Sequence, residues 1–209
     1  MIGTTFNLRR GGIRRFRVPD GIIIFSALAF LIGYLIGVFL IAGNNAVFLS
    51  FSKAQFQGLL SLKSGAGFLR HTFMRFLSFL PFMVGCYFFG TSILGCAFVP
   101  AVLVVYGLNL GTLISYIYHV YALSGMGFTA LLIAPFAILS GYILVLAARE
   151  SLGFSDRVLK NALPHGTAFN LSNDFKIYTI RYIFLLVFCL LTAVLDAFCN
   201  LIFFRYFKL

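Results

Sequence analysis

Tryptophan is absent from this chain, and acidic residues are nearly so: five Asp and Glu stand against sixteen Lys and Arg in 209 residues. Charged residues of both signs make up 10% of the chain, where a soluble domain carries about 25%. With hydrophobic residues at 61% and a mean hydropathy of +1.02, no water-soluble fold could hide this much apolar surface. The bilayer must be the solvent. Without tryptophan, any interfacial aromatic belt relies on tyrosine. Tyr116, Tyr118 and Tyr121 are expected at one boundary, and Tyr178 and Tyr182 at the other.

Other absences narrow the chemistry. The four cysteines, Cys86, Cys96, Cys189 and Cys199, form no C-x-x-C or other metal spacing and read as small apolar packing residues. His71, His119 and His165 sit on different segments without an H-E-x-x-H zinc pattern. No phosphate-binding glycine loop precedes a Lys-Ser/Thr, so nothing here hydrolyses ATP unaided. Ser124-Gly125 lacks the surroundings of an intramembrane serine protease. The chain therefore reads as a non-enzyme without a cofactor or metal. A net charge of +11 would suggest nucleic acid in a soluble protein. Here the basic residues cluster at the ends of apolar runs, so the expected partner is anionic lipid headgroups, not nucleic acid.

The apolar runs predict an all-α polytopic membrane bundle of about five helices in a single domain (residues 1–209). Residues 1–19 are polar and carry Arg9, Arg10, Arg14, Arg15 and Arg17. The uncharged run from Gly21 to Ala42 is long enough to span, and the arginines before it hold its start in the cytoplasm. Gly43 to Thr72 mixes Asn44, Asn45, Lys53, Gln55, Gln57, Lys63 and Arg70 with apolar residues, as an outer interfacial helix and loop would. Further spans are expected at about 73–94, 101–121, 131–148 and 177–204. The glycine-rich segment 124–127 reads as a turn, and Phe128 to Ala134, ahead of Pro135, as a re-entrant half-helix or an early start of the fourth span. Arg149 and Glu150 close the fourth span, and residues up to Lys176 form the polar inner face. With an inside start, ten basic residues fall inside and six outside, a modest bias in the right direction.

Helices in lipid associate through close contact between small residues. Ala29, Gly33 and Gly37 repeat every fourth residue in the first span, and Gly107, Gly111 and Ser115 do so in the third. These stripes close the monomer or build a homo-oligomer; spacing alone does not choose. Two polar residues lie at depth. Asp196 costs about 2.5–3.5 kcal/mol to insert on the translocon scale, so it is protonated, paired (to Asn200 one turn on, or to another helix), a proton relay or a cation ligand. Asn109, between Gly107 and Gly111, is expected to hydrogen-bond across helices. Arg149 and Glu150 would snorkel to headgroups, pair, or dock a partner.

The middle of the chain resembles the stage II sporulation protein M family of bacterial membrane proteins. The likeness rests on Gly90-Thr91-Ser92-Ile93-Leu94-Gly95, then Pro100, Gly107-Leu108-Asn109-Leu110-Gly111, Gly125-Met126-Gly127-Phe128 and Pro135. It covers roughly Phe73 to Ser155. Beyond that range only the arrangement of segments matches, and the polar stretch after Ser155 is longer than is typical. The resemblance implies a non-enzymatic plasma-membrane scaffold in spore engulfment, recruiting the peptidoglycan hydrolases known as stage II sporulation proteins D and P. It supplies no catalytic residue, and it makes Gly90, Ser92, Gly95, Pro100, Gly107 and Gly111 structural positions. The alternative from the residues alone is a transporter or permease subunit built around Asp196, Asn109 and a helix broken between Gly125 and Pro135.

Overall fold

The computed structural model describes residues 20–65, 67–162 and 171–203, and these are almost wholly helical. The helices are α1 (Asp20–Ala42), α2 (Ala46–Gly65), α3 (Phe68–Gly90), α4 (Gly95–Phe128), a π-helical stretch (Thr129–Ile133), α5 (Ala134–Ala162) and α6 (Leu171–Phe203). Five segments are long and apolar enough to cross a membrane: 21–42, 68–90, 95–122, 125–162 and 172–202. The basic segment 1–19, Pro164, His165, Asn170, Arg205 and Lys208 lie outside the described residues. A belt of exposed apolar side chains, among them Phe25, Leu28 and Ile32 on α1 and Phe184, Phe188 and Leu191 on α6, faces outward where lipid would lie.

α1 packs mainly on α4, with Gly33 beside Val104 and Gly37 beside Leu108, so the two run parallel. A Cβ on Gly33 would collide with the carbonyl oxygen of Val104, and one on Gly107 with that of Phe30. Gly111 stands equally close to the backbone of Tyr34. The stripes thus face each other within one chain, backbone against backbone. α3, α5 and α6 complete the core around Phe79, Met83, Leu103, Leu144 and Ala147. A second core forms where α2 lies against the far end of α4. Phe56 of α2 is buried there among the rings of Tyr116, Tyr121 and Phe128.

Several boundaries differ from the sequence expectation. α1 ends in a Schellman turn, with Asn44 left-handed (φ 51°) and the Asn45 amide bonded to the Leu40 carbonyl. α3 begins at Phe68 rather than Phe73, which takes Arg70, His71 and Thr72 out of the loop and into the helix. α4 begins at Gly95, and Pro100 lies inside its second turn rather than opening it. The chain reverses at Ala122 (φ 44°, ψ −123°), not within the glycines, and Gly125 to Gly127 are helical.

No re-entrant half-helix occurs among the described residues: one helical path runs from Gly125 to Ala162. Pro135 does not break it. Proline lacks an N–H and its ring presses on the carbonyl four residues back. The π-helical stretch just before it widens the turn, and the Ala134 amide reaches back five residues to Thr129. Nor does the helix stop at Arg149–Glu150. At 1.5 Å per residue it is about 57 Å long, against about 30 Å of hydrocarbon. Part of the supposed inner loop is therefore a helical hairpin, formed by the end of α5 and the start of α6.

Candidate functional site

His71 and Arg75 stand four residues apart on α3 and so share one face. That face meets Asp196 of α6. The Asp196 Oδ2 lies 2.8 Å from His71 Nε2 and accepts a 2.8 Å bond from Arg75 Nε. The side chains of His71 and Asp196 are almost wholly buried, and that of Arg75 is 13% exposed. Asp196 is thus paired across the bundle to two groups of α3, not to Asn200. The cluster lies one turn into α3 and toward the end of α6, so it occupies the α2 end of the bundle rather than its middle. An uncompensated carboxylate in a buried site would be strongly destabilising, and the partners explain how α6 tolerates this one.

The cluster borders a groove of about 310 Å³ between α2 and α3, floored by α4 and α5. His71, Arg75, Ser78, Gln55 and Asn109 give it a polar side, and Phe79, Phe82 and Phe136 an apolar one. The Arg75 guanidinium sits 4.7 Å above the Phe136 ring, a cation–π contact that also orients it. Gln55 Nε2 donates to Asn109 Oδ1 at 2.7 Å, which ties α2 to α4 at this depth. Tyr106 bonds Ser140 at 2.6 Å beneath the groove.

No family model, curated protein or solved structure matches this chain.

A second polar cluster sits at the opposite end. Ser151 donates to the Cys86 carbonyl (2.9 Å) and meets the hydroxyls of Tyr178 (3.2 Å) and Tyr182 (2.6 Å). One turn on, Ser155 donates to the Ser92 carbonyl (2.8 Å). Both serines come close because Gly90 and Gly95 have no side chain. A Cβ on Gly90 would lie 2.6 Å from the Tyr178 hydroxyl and 2.7 Å from Ser151, and one on Gly95 would lie 2.8 Å from the Ser155 hydroxyl. The Ser92 hydroxyl meanwhile accepts the Leu94 amide, shaping the α3–α4 turn. The result is a clamp in which α5 accommodates and caps the end of the α3–α4 hairpin. Tyr178 and Tyr182 therefore do not form an interfacial belt: both are buried and serve this clamp.

The remaining candidates are spread out. Glu150 pairs with Arg181 of α6 rather than with Arg149. Arg149 is half-buried, with its Nε unpartnered among the described residues. Gly125 packs against the Ile117 carbonyl inside the α4–α5 reversal. All four cysteines are free thiols.

Sequence reasoning gave His71 no role, left Arg75 as an end charge and counted Gln55 as interfacial. One signal was available. His71 and Arg75 share a face, and a lone buried acid must find a basic partner.

Proposed function

We propose that this chain is a non-enzymatic scaffold of the bacterial plasma membrane, acting in cell-envelope remodelling during sporulation in the manner of the stage II sporulation protein M family. Its role is to hold peptidoglycan hydrolases, such as stage II sporulation proteins D and P, at the engulfing membrane. One observation carries the reading. The residues behind the resemblance all do the same work, because Gly90, Gly95, Gly107 and Gly111 each permit contact that a side chain would block. A bundle locked at both ends by such contacts suits a platform that presents its ends to partners and keeps one shape. The arginine-rich start favours a cytoplasmic N-terminus, with α2 on the outer side where wall enzymes work. Affinity purification of the detergent-solubilised protein from sporulating cells is expected to recover peptidoglycan hydrolases. Recovery of none, with engulfment normal in a deletion strain, rejects the proposal.

A second reading has one observation in its favour. The polar groove beside the buried His71–Arg75–Asp196 cluster resembles the start of a solute or ion path more than a solid apolar bundle does. It requires solute or proton flux in proteoliposomes that Asp196→Asn abolishes.

A further inference from the structure

The groove between α2 and α3 holds more hydrogen-bonding capacity than the fold uses. Arg75 has five N–H donors. Its Nε binds Asp196, whereas its Nη2 is buried without a hydrogen-bond partner among the described residues. His71, 1% exposed, lines the same groove, and its Nδ1 also has no partner there. Buried polar groups in a native fold are nearly always satisfied, and two such nitrogens beside one cavity mark a place where a ligand belongs.

The surroundings say what kind of ligand. Arg75 presents a planar fork of donors, which suits the paired oxygens of a phosphate or carboxylate. Lys53 on α2 and Arg70 on α3 are exposed at the same end, and Asp196 is the one acidic residue at that end among the described residues. The local balance is therefore positive. Gln55 and Asn109 supply amide groups at the polar side, while Phe79 and Phe82 make an apolar wall. α2 and α3 touch little, so the groove stays open between them toward the bilayer. A polar pocket with an apolar exit at the edge of a membrane bundle fits an amphipathic molecule.

We infer that this groove binds the phosphate of one anionic lipid. The Arg75 guanidinium takes the phosphate oxygens through its unused edge, Gln55 and Asn109 line the headgroup, and an acyl chain leaves between α2 and α3 past Phe82. The site is independent of the scaffold role proposed above.

The full-length protein in detergent is to be titrated with phosphatidylglycerol, with phosphatidylcholine and with inorganic phosphate alone, and adducts counted by native mass spectrometry. One phosphatidylglycerol should be retained at least tenfold more tightly than phosphatidylcholine. Arg75→Lys should weaken that retention, because the fork is lost while the charge stays. Ser78 is exposed on the groove wall and bonds only its own helix, to the Met74 carbonyl. Ser78→Trp should thus block the groove without touching the His71–Arg75–Asp196 cluster, and should lower retention tenfold with helix content unchanged by circular dichroism. Equal retention of the two lipids, or full retention by a folded Ser78→Trp, overturns the inference. Binding of inorganic phosphate as tightly as lipid moves the site to a free anion and overturns the lipid assignment.

Discussion

Asp196 engages an imidazole and a guanidinium of another helix at once, both at 2.8 Å. Removing the carboxylate leaves a buried arginine without its counter-charge, a change that costs about 3–5 kcal/mol in buried pairs. Asp196→Leu is expected to lose stability on that scale in detergent unfolding. Arg75→Met combined with Asp196→Leu should recover part of the loss, since a buried pair often does little better than apolar residues of similar volume. A double variant as unstable as Asp196→Leu alone would mean that the carboxylate matters for something other than the arginine. The glycines allow an equally sharp test. Gly111→Ala sets a Cβ into the Tyr34 carbonyl and should cost about 1–3 kcal/mol as α1 is pushed away. Gly85→Ala serves as its control. A Cβ there meets nothing closer than Val102 Cγ2 at 3.7 Å, so the variant should unfold like the wild type.

Ala122 belongs to the scale of the element, because it reverses the chain between α4 and the long helix that follows. Its φ of 44° with ψ of −123° is a conformation that glycine adopts freely and alanine does not. Strain of this type is worth about 1–3 kcal/mol, offset in part by the greater freedom glycine gives the unfolded chain. Ala122→Gly is therefore expected to raise stability by about 1 kcal/mol, read as a higher midpoint of unfolding. The serine clamp predicts the opposite sign. Ser151→Ala removes the donor to the Cys86 carbonyl and the partner of the Tyr182 hydroxyl, all buried, and should cost about 1–3 kcal/mol. Ser155→Ala, which loses one bond to the Ser92 carbonyl, should cost less.

For the whole molecule the open prediction is orientation. With the native cysteines replaced, a cysteine at the exposed Asn44 should react with a membrane-impermeant maleimide on intact cells. One at the exposed Asn161, on the α5 extension, should react only after permeabilisation. The reverse pattern would turn the protein over and place α2 in the cytoplasm.

The legibility of the fold follows the same scales. The runs now seen as α1 and α6 were readable because hydropathy adds up residue by residue along the chain. Pro135 and Arg149–Glu150 misled for a matching reason. A proline is a break and a charge is an end only where neighbours do not intervene, and here a π turn relieves the proline while the helix carries the charges beyond the hydrocarbon. Tyr178 and Tyr182 looked like belt residues because tyrosine suits an interface. What assigned them was Ser151, on a different helix.

The sequence by itself determined that this is an all-helical membrane chain, where its apolar segments lie, and which stripes of small residues can bring backbones together. Those properties depend on composition and local spacing. Only the tertiary structure decided which stripe meets which, that Asp196 reaches His71 across 125 positions, and that a polar groove opens beside them. Such pairings depend on how the helices are arranged around one another, and spacing along a single helix carries no record of that.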